Sequence, residues 1–244
     1  MSEEKNNMDL MENILETESL LDPTNERCAI FPIKYTDIWN AHKKQEASIW
    51  LPHEIKLDKD IQDWKNLSYD EQFYLKHVLA FFASSDLIVS QNLAVRFMSE
   101  IKIPEVNFFY GLQLMMENIH SEVYSKLIDT YVDNLVEKNK LFNAAQTMEC
   151  VKNKADWAKR WITSNDNFQT RLVAFSIVEG IFFSGSFCAI YWMSERGKLP
   201  GLSKANEFIA RDEGMHTDFA CLLYTKYIKN KLSDVEFNNL IKEA

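Results

Sequence analysis

Glu117-Asn118-Ile119-His120 and Glu213-Gly214-Met215-His216 are two copies of one pattern, Glu-x-x-His. Residues three apart on a helix share a face, so each copy presents a carboxylate beside an imidazole. Each follows, about thirty residues on, an acid inside an apolar stretch: Asp86 before the first, Glu179 before the second. Four helices facing one another would bring four carboxylates and two imidazoles together. One Glu-x-x-His is common and says little. Two, each matched with an acid in an apolar run, point to a pair of metal ions inside a helical bundle.

Asp86 lies in Ala80-Phe81-Phe82-Ala83-Ser84-Ser85-Asp86-Leu87-Ile88-Val89, and Glu179 in Phe175-Ser176-Ile177-Val178-Glu179-Gly180-Ile181-Phe182-Phe183. An ionised carboxylate among such neighbours is costly unless it is paired or binds metal. For either acid alone, a buried salt bridge is as good a reading. Neither has Lys or Arg three or four residues away, and Arg171 lies further off. Of the five histidines, only His120 and His216 follow a Glu by three. Either alone reads as a core histidine; the joint pattern does not read as coincidence. Ligation this rich in oxygen suits iron or manganese better than tetrahedral zinc. Four carboxylates would balance two divalent ions.

Tyr124 stands four residues after His120 and seven after Glu117, on the same helix face. It reads either as a core tyrosine bonded to a carboxylate such as Asp86, or as a redox-active tyrosine oxidised by the metal site. A phenoxyl radical survives only where water is excluded. Phe183, Phe187 and Ile209 would supply that wall, although periodicity alone makes them ordinary core.

The 244 residues are 46% hydrophobic and 13% aromatic, enough for a substantial core. Only 6 Gly and 5 Pro occur, and no Gly precedes Gly111, which predicts an all-α chain of long helices. A net charge of −9 argues against a nucleic-acid-binding face. Cys28, Cys150, Cys188 and Cys221 form no C-x-x-C or evident disulfide framework, which fits a reduced, cytoplasmic setting. The start lacks the basic and apolar regions of a secretory signal. The longest apolar stretches carry Asp86, Glu117 and Glu179, which argues against a membrane span. Asn66-Leu67-Ser68 matches a glycosylation sequon by chance on this reading.

Residues 1–27 read as a flexible acidic tail, and 28–244 as one helical domain. A helix is expected from 36 to about 47. Ser68-Tyr69-Asp70-Glu71 forms a capping box opening a helix to about 101. Pro104 opens the next, to about 132, and shorter polar helices fill 137–163. One long helix is expected over 167–196, with Gly197 and Pro200 as its stop, and another over 203–229. Ser233-Asp234-Val235-Glu236 opens an amphipathic helix that reaches Ala244 before its third turn is complete, which reads as a domain truncated at its C-terminus.

Six segments carry a family resemblance: Phe31-Pro32-Ile33-Lys34-Tyr35, Glu46-Ala47-Ser48-Ile49-Trp50, His77-Val78-Leu79-Ala80-Phe81-Phe82, Met116 to Glu122, Val178 to Phe187, and Ala210 to His216. Over about 27–224 the chain resembles the small subunit of class I ribonucleotide reductase, in its eukaryotic and eukaryotic-virus branch. The resemblance implies a ferritin-like di-iron helical bundle. It implies that Asp86, Glu117 and His120 hold one iron and Glu179, Glu213 and His216 the other, with Glu117 and Glu213 bridging; manganese is the alternative metal. Tyr124 then matches the radical tyrosine, surrounded by Phe183, Phe187 and Ile209. Trp50 and Asp212, with His120, match the start of the electron and proton path toward the surface. The implied activity is that of ribonucleoside-diphosphate reductase. Oxygen activation at the metals oxidises Tyr124, and the radical passes to a large subunit that reduces ribonucleotides to deoxyribonucleotides. The implied partners are that large subunit and a second copy of the chain. Family members continue beyond the position of Ala244, which puts docking and stable folding in question. Other readings are another di-metal carboxylate oxidase, an iron-storage protein, and a truncated regulatory pseudo-subunit.

Overall fold

The computed structural model describes residues 18–244 and is helical throughout, with no β-strand among the described residues. The principal helices are α1 (Thr36–Glu46), α2 (Tyr69–Asn92), α3 (Pro104–Tyr131), α4 (Glu149–Thr163), α5 (Phe168–Ile177), α6 (Ser184–Glu195), α7 (Pro200–Tyr227) and α8 (Asp234–Glu243). The fold is a ferritin-like bundle. Helices α2 and α3 pack along each other, α7 packs on α3, α5 and α6, and α1 and α4 flank this group.

Helix α2 starts where its capping box predicts. Ser68 Oγ accepts from the Glu71 backbone N–H, and Glu71 Oε2 accepts from the Ser68 N–H at 2.7 Å. The helical path then runs through a wide π turn, Leu93–Phe97, to Glu100. Pro104 opens α3, where its missing N–H is no loss.

Two expectations change. The single helix over 167–196 is broken into α5, a π turn at Val178–Phe182, and α6. Helix α7 begins at Pro200 rather than near Ser203, because a remote side chain caps it. Asp60 Oδ1 accepts from Gly201 N–H and Asp60 Oδ2 from Leu202 N–H, both at 2.8 Å. Tyr131 donates to the same carboxylate at 2.7 Å. Only glycine fits at 201, since a Cβ there would lie 2.3 Å from the Lys56 carbonyl oxygen.

Of the expected tail, residues 1–17 lie outside the described residues. Residues 18–27 do not hang free. Leu20 is fully buried, its carbonyl accepts from Lys102 N–H, and Glu18 accepts from Lys229 N–H at 2.7 Å. These ties join groups far apart in the chain and leave no local periodicity to read. Tyr69–Glu100 and Phe168–Glu195 are long and apolar enough to cross a membrane, but 67% and 56% of their apolar windows are buried in the bundle. Their apolar character builds the core around the site.

Candidate metal centre

Four structural elements converge. Glu117 and His120 project from α3, Glu213 and His216 from α7, Asp86 from α2, and Glu179 from the π turn after α5. None of the six is more than 2% exposed. The π turn matters locally: it widens the helix at the position that carries Glu179, as such turns often do at functional sites.

The atoms able to ligate a metal form two overlapping groups. Asp86, Glu117 and His120 place theirs within 4.8 Å of one another, as do Glu117, Glu179, Glu213 and His216. Glu117 belongs to both. Its Oε1 lies 3.1 Å from His216 Nδ1 and its Oε2 lies 3.5 Å from His120 Nδ1. Glu213 repeats the arrangement, with Oε1 3.0 Å from His120 Nδ1 and Oε2 3.2 Å from His216 Nδ1. Each of these carboxylates spans both imidazoles, which is the placement a bridging ligand needs.

The salt-bridge alternative is not what the structure contains. Among the described residues, no Lys or Arg pairs with any of the four carboxylates; Glu117, Glu179 and Glu213 have the histidines as their ion-pair partners. Arg171 pairs with Glu100 instead, at 2.5 Å. Asp86 Oδ2 and Glu179 Oε2 are buried without a hydrogen-bond partner, and Glu117 Oε2, Glu213 Oε1 and His120 Nδ1 have only one another to meet. Each such atom costs about 1–3 kcal/mol in a dry interior, more when charged. A pair of cations would satisfy them together.

The electrostatics agree. Burial, then the charge of Glu117, pushes the Asp86 carboxyl well above its ordinary range. Burial, then Glu213 and Glu117, does the same to Glu179. At Glu213 burial also pushes upward, but hydrogen bonding with Glu179 and the two histidines outweighs it and holds the group ionised. For His120, burial is outweighed by hydrogen bonds to Asp212, Glu117 and Glu213, and its pKa is raised. His216 is raised in the same way by Glu213 and Glu117. Without cations, the site must hold protons to offset its negative charge.

Both imidazoles are held from behind. His120 Nε2 donates to Asp212 Oδ2 at 3.1 Å, which leaves Nδ1 for a metal. Trp50 Nε1 donates to the same oxygen at 2.7 Å, and its ring stacks over His120 with centroids 6.1 Å apart. Arg211 holds Asp212 Oδ1 at 3.1 Å and reaches the Ser48 carbonyl at 2.6 Å. Trp50, Asp212 and His120 therefore form one connected chain.

Tyr124 is 1% exposed, and its hydroxyl has no partner. The bond to Asp86 foreseen for an ordinary core tyrosine is not made. Its ring stacks on Phe82 at 4.6 Å, and Phe82 in turn meets Phe187 at 4.8 Å and Phe183 at 5.4 Å. Ile209 is buried in the same core. Burial, then the charges of Asp86, Glu213 and Glu117, pushes the phenol pKa far up. The phenol stays protonated in the resting site.

Sequence reading missed two glutamines. Gln113 Nε2 donates to Glu179 Oε1 at 3.0 Å and contacts Glu117 Oε1 at 3.4 Å. Its signal was available, four residues before Glu117 on the same face. Gln45 lies 3.1 Å from His216 Nε2, and its Oε1 has no other partner. A half-turn of the amide lets that oxygen accept from the imidazole. Nothing local in α1 announces this role.

A helical bundle with two Glu-x-x-His pairs, two further buried acids and no basic counter-charge defines a di-metal carboxylate protein of the ferritin-like class. A family model described as "Ribonucleotide reductase, small chain" matches residues 27–244, and the chain belongs to that family. It is 60% identical over 215 residues to a ribonucleoside-diphosphate reductase small chain of Trypanosoma brucei brucei, covering 88% of this chain and 64% of that protein. It is 54% identical over 227 residues to the vaccinia virus (strain Ankara) small chain, covering 93% of this chain and 71% of that one. The structure of the ribonucleotide reductase Rnr4 homodimer from Saccharomyces cerevisiae matches with a TM-score of 0.85 at 38% identity, covering 97% and 75% of the two chains. These relatives fit the eukaryotic and viral branch.

Proposed function

We propose that this chain is the radical-generating small subunit of a ribonucleoside-diphosphate reductase. Asp86, Glu117 and His120 would hold one iron, and Glu179, Glu213 and His216 the other, with Glu117 and Glu213 shared; manganese would fit the same donors. The observation that carries the reading is the pair of carboxylates spanning both imidazoles in a pocket with no basic side chain. A reduced metal pair so held supplies, with O2, the oxidising power for the tyrosine.

The chain's own residues set what is oxidised and what is protected. Tyr124 would be the oxidisable group: its phenol would give one electron to the O2 oxidant and one proton to the carboxylate cluster beside it, of which Asp86 acts on it most strongly, leaving a neutral radical. Its hydroxyl has no hydrogen-bonded neighbour to quench it, and Phe82, Phe183 and Phe187 exclude water. Asp212 orients His120 and Trp50 through one oxygen, so charge and proton can move along hydrogen-bonded neighbours from the site toward Trp50. The partner that receives the radical is the large subunit, which binds the ribonucleotide. A second copy of this chain is the other partner, as the homodimeric yeast relative suggests. Four unpaired, exposed cysteines support a cytoplasmic setting.

The test is reconstitution with ferrous iron and oxygen, followed by EPR. A tyrosyl signal is expected, and Tyr124→Phe removes it. Iron bound without any tyrosyl signal would overturn the radical assignment.

A further inference from the structure

A pocket of about 260 Å³ opens between the π turn and α7, and its floor is formed by Glu179 and Glu213. Both floor residues are at least 98% buried, yet Glu179 Oε2 has no hydrogen-bond partner and Glu213 Oε1 meets only His120 Nδ1, at 3.0 Å. Ser184, Gly214 and Asp218 stand exposed at the rim. Gly180 and Thr217 form the wall between, and Thr217 Oγ1 is also buried and unpartnered. No lining residue is basic.

The two glycines keep this opening wide. A Cβ on Gly180 would meet Thr217 Cγ2 at 3.0 Å, narrowing the passage. Gly214 sits inside α7 with nothing within 4 Å of where its Cβ would be, so packing does not require glycine there. A glycine inside a helix costs about 1 kcal/mol relative to alanine. A side chain at 214 would overhang the mouth.

We propose that this pocket is the loading port through which divalent cations reach the buried ligands. The inference rests on the metal-site reading above. Asp218 captures a hydrated cation at the rim. The Thr217 hydroxyl then replaces water on the ion before Glu213 and Glu179 take it. Phe187 and Ala210 make part of the wall apolar, but every charged group along the passage (Asp218, Glu213, Glu179) is a carboxylate, which draws in cations, and the Thr217 hydroxyl offers an oxygen in place of their water. The small pocket beside Ile88, Val89 and Val178 is lined by none of the six site residues and by no charged side chain, which suits no ion.

The test is the rate of cobalt(II) uptake by the metal-free chain, followed by stopped-flow absorbance, with metal per chain counted at equilibrium. Gly214→Phe should slow uptake on the order of tenfold, and Ser184→Trp should do the same from the opposite wall, both with an unchanged final count. Asp218→Asn should slow uptake severalfold and flatten its dependence on ionic strength. Val136→Phe, on an exposed helix, should change nothing. Wild-type rates in all three port variants, equal slowing by Val136→Phe, or a lowered final count at an unchanged rate would each overturn the port. A wild-type chain that takes up no cobalt would overturn the metal site as well, which separates the two failures.

Discussion

Replacing Phe82 with alanine tests how far Tyr124 depends on its dry wall. Phe82 is fully buried, lies parallel to the Tyr124 ring at 4.6 Å, and touches Phe183 and Phe187. A buried Phe→Ala change costs about 3–5 kcal/mol through lost burial and the cavity left behind. A domain of ordinary stability, about 5–15 kcal/mol, survives that loss in most of its range. The void would open against the Tyr124 ring, whose hydroxyl has no partner, so water drawn to that hydroxyl is expected to fill it. Urea unfolding of the metal-free chain measures the stability loss, and EPR decay after reconstitution measures the radical lifetime. Phe82→Leu, which keeps most of the volume, should cost less and shorten the lifetime less. A loss below about 1 kcal/mol together with a wild-type radical lifetime would refute the protective stack.

Glu179→Gln keeps the shape of the site and removes a carboxyl that the metal-free chain must protonate on folding and that a bound metal needs ionised. The metal-free chain should gain stability at neutral pH, by about 1–3 kcal/mol, while the metal-loaded chain should lose it; thermal melts with and without metal give the opposite signs, and shifts of the same sign would contradict the assignment. Asp86, Glu179, His120 and His216 all have raised folded-state pKa values, against ordinary values of 3.8, 4.5 and 6.5 for Asp, Glu and His. The folded metal-free chain therefore binds more protons than the unfolded one above those ordinary values, and its stability falls as pH rises through the raised ones. Metal must displace these protons, so its apparent affinity should rise with pH by about tenfold per unit for each proton released; calorimetry in buffers of different ionisation enthalpy counts them, and zero release would contradict the account. Asp60→Ala removes the acceptor for Gly201 N–H, Leu202 N–H and the Tyr131 hydroxyl, so it should cost at least about 2 kcal/mol and fray the start of α7 in hydrogen exchange.

The clustering of these side chains was legible because it is written in local spacing. Glu-x-x-His at 117 and 213, and Tyr124 at four beyond His120, are properties of single helices that survive any packing. Asp86 and Glu179 were visible as charges in apolar company. What the sequence hid depends on remote partners. The π turn that carries Glu179 replaces a stretch that reads as unbroken helix. The cap of α7 comes from Asp60, far away in the chain, so Ser203 looked like the start. Gln45 reaches His216 from α1, and residues 18–27 are held by the Leu20 carbonyl and the Glu18 carboxylate bonding to Lys102 and Lys229 far along the chain, which leaves no pattern.

The central claim is that four carboxylates and two histidines hold a pair of divalent ions. Native mass spectrometry of the chain after anaerobic loading with ferrous iron counts those ions directly. Two per chain is the predicted result, falling when Glu117 is replaced by alanine, since that carboxylate belongs to both groups. No bound iron, or many irons per chain, would contradict it.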